Sequence, residues 1–151
     1  MTDFVIRAAT MEDLPQMLVN GEAFFAEMQN QVVPFDRESM AEALTECIDA
    51  GLCFIAVKDD LHLGGIGGIK SGLPMNIHVD AAIERFFWMS KDERARGVGK
   101  VLLSTFADAA RTLGCNVLIM IALTGPDLPY VERAYQKAGL HEAERTYIMR
   151  L

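Results

Sequence analysis

Short runs of alternating apolar residues and longer stretches with apolar residues three and four apart take turns along this chain, predicting strands and helices in alternation. Phe4 to Ala8 reads as a short strand. Thr10 offers an N-cap oxygen to a helix from Met11 to about Asn20, with Glu12 and Asp13 near the positive end of its dipole. Gly21 to Asn30 reads as a second helical piece through Ala23, Phe24 and Met28, and Gln31 to Phe35 as a loop broken by Pro34. Asp36 caps the next helix, in which Met40, Ala43, Leu44, Cys47 and Ile48 form one stripe, and Gly51 closes it. Leu52–Val57 and Leu61–Ile69 form a hairpin around Lys58-Asp59-Asp60.

Ser71 to Asp80 is rich in turn residues and reads as a loop, and Ile83–Met89 as an apolar, aromatic strand. A helix from Gly97 to Leu113 carries Val98, Val101, Leu102, Thr105, Phe106, Ala109 and Leu113 on one face, and Gly114 ends it. Asn116–Leu123 is the most continuous apolar run and is expected to be a central strand. A loop through Gly125-Pro126-Asp127 precedes a helix from Pro129 to Ala138, stopped by Gly139, and Glu144–Arg150 alternates as a last strand. The order β-α-α-β-β-β-α-β-α-β describes an α/β or α+β domain on one mixed sheet. At 151 residues the chain reads as a single domain, 1–151.

Composition narrows the function. No apolar run is long enough for a membrane span, and the N-terminus lacks the basic-then-apolar pattern of a secretory signal, so a cytoplasmic protein is expected. Cys47, Cys53 and Cys115 lie singly in apolar elements and read as reduced, buried thiols. His62, His78 and His141 fall in different elements, so no metal is expected. A net charge of −7 argues against nucleic acid and anionic membrane as partners and suits a cationic acceptor, although simple solubility explains it equally.

The chemistry concentrates between Phe86 and Lys100. There a buried strand runs into a charged loop and then into a helix that opens on Gly97 and Gly99. Unpaired N–H groups at a helix start, with glycines that clear side chains away, make an anion site, and Arg94, Arg96 and Lys100 add positive charge. The spacing fits neither common phosphate loop: Leu102 stands where a dinucleotide fingerprint needs its third glycine, and Val101 follows Gly99-Lys100 where a Walker loop needs Ser or Thr.

Arg94-Ala95-Arg96-Gly97-Val98-Gly99 resembles the R/Q-x-x-G-x-G/A segment with which GNAT acetyltransferases hold the pyrophosphate of coenzyme A. Ala134-Tyr135-Gln136-Lys137-Ala138-Gly139-Leu140 is similar to that family's late A/L-Y-x-K-x-G-F segment, one helix and one strand further on. Val32-Val33-Pro34-Phe35-Asp36 and the order of elements resemble small phage and bacterial members. The chain departs from the pattern at Leu140, in place of phenylalanine, and at Leu128, where many members carry an asparagine.

The resemblance implies a mixed, mostly antiparallel central sheet of about six to seven strands flanked by four helices. It also implies acetyl-CoA as cosubstrate, a small-molecule or peptide amine as acceptor, and allows a homodimer. The pantetheine arm would insert between the fourth and fifth strands against the backbone of Trp88 and Met89, with the Met89 N–H polarising the thioester carbonyl. Arg94, Ala95, Arg96, Gly97, Val98, Gly99 and Lys100 would hold the pyrophosphate, and Lys137 the adenosine phosphates unless it is simply solvated.

Glu84 is the candidate base, or alternatively a strand-end carboxylate paired with Arg85. Strict alternation places it on the face of Phe86 and Trp88 unless a bulge redirects it. Tyr135 is the candidate acid, or alternatively a core tyrosine. Gly64-Gly65-Ile66-Gly67-Gly68 is expected to permit a bulge or a close ligand approach. Phe24, Phe25, Glu27, His78 and Asp80 are candidates for shaping the acceptor site. A binding module that senses acetyl-CoA without turnover is the competing reading. A phosphate-handling enzyme of another fold has no carboxylate pair or Walker sequence to support it.

Overall fold

Alternation and capping resolve into the elements β1 (Val5–Ala8), α1 (Leu14–Glu27), α2 (Arg37–Asp49), β2 (Cys53–Lys58), β3 (Leu61–Leu73), β4 (Asn76–Met89), α3 (Val98–Thr112), β5 (Val117–Ile119) and α4 (Leu128–Lys137). They are seen in a computed structural model that describes residues 3–28, 32–93 and 97–151. The strands form one sheet in the order β1-β2-β3-β4-β5. Neighbours run antiparallel from β1 through β4, and β5 joins β4 in parallel. No helix among the described residues is long and apolar enough to cross a membrane.

Local chemistry explains most boundaries. Asp36 caps α2 by accepting the Ser39 N–H at 2.7 Å. Asp59 and Asp60 both take positive φ (47° and 65°), giving the two-residue turn whose twist suits a hairpin between the paired Lys58 and Leu61. The first helix is continuous from Leu14, because Met11–Asp13 forms a separate 3-10 turn and Pro15 tolerates the first helical turn. The expected helical piece from Gly21 to Asn30 and the loop from Gln31 to Phe35 fall partly outside the described residues.

Three expectations are corrected. Ser71–Asp80 is not a loop: β3 continues to Leu73 and β4 begins at Asn76, so the turn residues occupy one hairpin tip. Asn116–Leu123 forms only a three-residue strand, and it lies at the edge of the sheet, with Val117, Ile121 and Leu123 exposed. Glu144–Arg150 forms no strand, so among the described residues the sheet has five strands, not six or seven, and the order ends on α4. Alternation there supplies one partly apolar face, Tyr147, Met149 and Leu151, but no strand pairs with it, and Tyr147, Ile148, Met149 and Leu151 are exposed.

The sheet divides the interior in two. On one face Leu102, Phe106 and Ala110 of α3 and Tyr135 of α4 pack over Ala56, Ile66 and Ala82. On the other, Met17 and Leu18 of α1 and Leu44 and Cys47 of α2 pack over Cys53 and Ile55, with Ile69 and Phe86 against them.

Candidate active site

A bulge in β4 decides where its side chains point. Gly67 pairs with Phe86 but Gly68 pairs with Glu84, so Arg85 is an extra residue on the β4 side. Upstream of it, Ala82 faces α3; downstream, Phe87 and Met89 face α3 while Phe86 packs toward α1 and α2. Even positions thus face α3 before the bulge and odd ones after it. Glu84 therefore shares a face with Ala82, Phe87 and Met89, and not with Phe86 and Trp88 as strict alternation would have it.

The glycines of β3 match this arrangement. A Cβ on Gly67 would run into the Phe86 ring, and one on Gly65 would lie 3.0 Å from the Trp88 indole nitrogen. On the opposite face a Cβ on Gly64 would lie 3.2 Å from Leu102, and one on Gly68 would strike the Ile83 carbonyl and Phe106. The expected bulge is present, across from Gly67 and Gly68. The space the glycines leave is filled by the protein's own aromatic and aliphatic side chains.

β4 and β5 part immediately above Glu84. Their last pair is Ile83 with Ile119, whereas β4 continues to Met89, and no described strand pairs with that stretch of its outer edge. The Glu84 carboxylate reaches across the split and accepts the Ile121 N–H at 2.7 Å. The Tyr135 hydroxyl, arriving from α4, donates to the carbonyl oxygen of the same residue at 2.9 Å. Glu84 is only 6% exposed and Tyr135 8%.

Burial pushes the Glu84 carboxyl up to about 7, against the smaller opposing pull of the Ile121 N–H. Burial, reinforced by the nearby Glu84 charge, also raises the Tyr135 phenol, which stays protonated at neutral pH. The alternative pairing of Glu84 with Arg85 does not form: the Arg85 guanidinium approaches Glu46 instead, at 4.0 Å.

At the far end of the open edge stands the start of α3. Gly97 caps it with φ at 83°, a left-handed conformation that favours glycine, and no side chain caps the helix. A Cβ on Gly97 would meet nothing within 4 Å among the described residues beyond its chain neighbours. Gly99 serves packing: a Cβ there would lie 2.7 Å from the Met89 sulfur, so the end of β4 and the start of α3 touch. Val98 is buried and Lys100 exposed. Arg94, Ala95 and Arg96 lie outside the described residues.

The ladder also distinguishes the backbone groups of β4. Ser90 donates its N–H to the Leu63 carbonyl at 2.9 Å. In an antiparallel pair such positions alternate, so Trp88, opposite Gly65, turns its N–H and C=O toward β3. Phe87 and Met89 turn theirs toward the open edge. Of the two residues the resemblance names, Met89 turns its backbone groups to the open edge and Trp88 turns them to β3, while Phe87 also faces the edge. Sequence reading did not single out Phe87 or Ile121, because only register and an opened sheet bring them to this edge.

The remaining candidates are dispersed. Lys137 is exposed on the last turn of α4 and has no ion-pair partner among the described residues. Asp80 pairs with Lys70 at 3.3 Å, and its backbone exchanges bonds with Asn116, which gives it a structural role at the root of the hairpin. Glu27 pairs with Lys91 at 3.7 Å, and the Phe25 ring meets that of Phe35 at a tilt of 49° with centroids 5.5 Å apart, tying the end of α1 to its surroundings. Cys47 and Cys53 are buried, and burial pushes their thiols up to about 11 and about 12, which leaves them inert. Cys115 is half-buried.

The mixed sheet is split between two parallel strands, with an uncapped helix start at one end of the split and the buried Glu84 and Tyr135 at the other. The Acetyltransferase (GNAT) family profile matches residues 21–140, and the chain belongs to that family.

Solved structures share the fold along almost the whole chain. A predicted acetyltransferase from Clostridium acetobutylicum, solved with acetyl-CoA, has a TM-score of 0.80 at 11% identity, over 97% of this chain and 96% of that one. A ribosomal-protein-alanine N-acetyltransferase from Brucella melitensis biovar Abortus 2308 has a TM-score of 0.75 at 18% identity, over 99% and 100%. An aminoglycoside acetyltransferase from an uncultured soil metagenomic sample, in complex with sisomicin, has a TM-score of 0.71 at 19% identity, over 99% and 97%. At these identities the likeness is one of fold. A search of curated protein sequences finds no significant match.

Proposed function

We propose that residues 1–151 act as one catalytic domain that transfers an acetyl group from acetyl-CoA to the primary amine of a small molecule or peptide. The observation that carries this reading is the meeting of Glu84 and Tyr135 at Ile121, where β4 and β5 part. The left-handed Gly97 and the amides without a side-chain cap at the α3 start suit a pyrophosphate. Gly97, Val98, Gly99 and Lys100 would hold it, with Arg94, Ala95 and Arg96 supplying the preceding loop and Lys137 a further cation. The edge groups of Phe87 and Met89 would pair with the amides of the pantetheine arm. The cosubstrate supplies an acyl group already activated as a thioester.

Distance along β4 sorts the roles. At ~3.3 Å per residue, Met89 is roughly 16 Å from Glu84. An amide at Met89 therefore sits near the phosphate end, and the Phe87 N–H is the edge donor better placed to polarise the carbonyl beside Glu84. An alkylammonium, with an ordinary pKa near ~10.4, arrives charged. The ammonium first releases one proton to solvent, and Glu84, at about 7, takes a second as the freed amine nitrogen forms its bond to the acetyl carbon. Tyr135 gives a proton to the departing sulfur and regains one from solvent. The sum is alkylammonium plus acetyl-CoA giving amide, free CoA and one proton.

Fold relatives that acetylate an aminoglycoside or a ribosomal-protein alanine make an amine acceptor a natural choice. The second reading, acetyl-CoA binding without turnover, draws on the same geometry, since both functional groups are engaged with backbone. Titration calorimetry with acetyl-CoA, followed by an amine screen, tests the pair. Saturable binding weakened by Arg94→Ala is expected, and failure of a folded wild type to bind ends both readings. Turnover abolished in Glu84→Gln/Tyr135→Phe with binding retained supports catalysis; unchanged turnover refutes the assignment.

A further inference from the structure

Both proposed proton-transfer groups are anchored to one residue that has no reactive side chain. The Ile121 nitrogen and carbonyl oxygen are three covalent bonds apart, and each meets a different functional group across the split. Ile121 lies just beyond β5, past the last pair with β4, so the groups a ladder would have occupied are left to side chains. Around Glu84, β3 presents Gly68, α3 sets Phe106 against that glycine, and α4 presents Tyr135. Of these only Tyr135 titrates, and none carries a positive charge.

We propose that the backbone of Ile121 is the positioning element that ties Glu84 to Tyr135, so that a change at one side chain is passed to the other as a displacement of this residue. The proposal rests on the acetyltransferase reading for its meaning in catalysis, but the mechanical link stands without it. When Glu84 takes a proton, its oxygen becomes a weaker acceptor for the Ile121 N–H, because hydrogen bonds to an ionised acceptor are roughly twice as strong as neutral ones. Ile121 is then freer to move, and the carbonyl that orients the Tyr135 hydroxyl moves with it. The acid is thereby released as the base is filled, the order that amine attack followed by thiolate departure requires.

The experiment uses the full chain labelled with 13Cζ tyrosine, with Tyr135 assigned by comparison with Tyr135→Phe. Its resonance is followed from pH 5 to pH 9. The wild type is expected to show an inflection near pH 7, where Glu84 titrates, and Glu84→Gln to show none. The deciding protein replaces Ile121 by its α-hydroxy acid through nonsense suppression, which swaps the N–H for an ester oxygen and keeps both side chains.

If the link runs through Ile121, the ester shrinks the Tyr135 inflection at least threefold and lowers kcat with KM for acetyl-CoA unchanged. An undiminished inflection in the ester means Tyr135 senses Glu84 directly through space, and the proposal falls. A flat wild-type resonance also overturns it. Calorimetry on the same wild-type sample separates the two levels: absence of acetyl-CoA binding removes the acetyltransferase reading, while the Tyr135 titration still decides the link.

Discussion

Replacing Glu84 by glutamine is expected to make the protein more stable at alkaline pH, an unusual result for removing a proposed catalytic group. Burial raises the Glu84 carboxyl from an ordinary 4.5 to about 7. Between those values the folded chain holds a proton that the unfolded chain has released. Its contribution to stability is therefore full below pH 4.5 and is lost as pH rises through 7. At about 1.4 kcal/mol per pKa unit, the loss is about 3 kcal/mol by pH 8.5. Glutamine cannot ionise, and its carbonyl oxygen can still accept the Ile121 N–H.

His62 acts in an overlapping window with the opposite sign. Burial lowers its pKa, so the stability it contributes is present above 6.5 and lost as pH falls. The difference between wild type and variant cancels that background. Urea unfolding followed by circular dichroism at half-unit steps from pH 4.5 to 8.5 is sufficient. With m of roughly 2 kcal/mol/M, the two midpoints should nearly coincide at pH 4.5 and separate by about 1.5 M at pH 8.5, the variant being higher. A difference constant to within about 0.5 kcal/mol, the usual scatter of independent surface changes, would refute the burial argument and with it the choice of Glu84 as a base poised near neutrality.

Two glycines, the turn and the acid limb give four more expectations. Gly68→Ala should cost more than about 2 kcal/mol, since the new methyl strikes the rigid Ile83 carbonyl. Gly99→Ala should cost under about 1 kcal/mol, because the flexible end of Met89 can give way, and Met89→Ala should relieve it; chemical denaturation ranks both variants. Asp59→Asn/Asp60→Gly should raise the melting temperature slightly, by about 0.5 kcal/mol of stability, because the turn holds both residues at positive φ. Arg7→Ala should cost about 2 kcal/mol at pH 7 by stranding buried Asp13, which now accepts two guanidinium bonds at 2.8 Å. The arginine holds Asp13 down at about 2, so wild-type stability from this pair is present above pH 4 and lost as pH falls through 2; an acid unfolding limb unchanged in the variant would contradict this.

Where local chemistry decides structure, the sequence was readable. The Asp36 cap, the Asp59-Asp60 turn, the glycine stops at Gly51, Gly114 and Gly139, and the Gly97 helix start all appear as expected. Nonlocal pairing was less accessible. Turn-rich residues before Asp80 look like a loop until β3 pairs with them, and the apolar run Asn116–Leu123 looks central although it lies at an edge. Glu84 and Tyr135 could be proposed from residue type and context, but the partner they share could not. Ile121 contributes only backbone groups, and its sequence carries no mark of the split that frees them. The side of the sheet on which Glu84 falls depended on Arg85 being unpaired, which alternation alone cannot reveal.

That unpaired residue has a consequence for how this protein can vary. It works like a shift of reading frame in space: drawing Arg85 into regular pairing with β3 would leave every substituent chemically intact yet exchange the sides of one flank. Either Glu84 would turn into the apolar layer under α1 and α2, or Phe86 and Trp88 would swing beneath α3 against Leu102 and Phe106. Deleting Arg85 outright would instead restore plain alternation, with Glu84 and Phe86 kept on the sides they now occupy. The bulge is therefore a place where β4 can shorten by one residue without exchanging its layers, while the hairpin tip at Pro74-Met75 is free to lengthen or shorten.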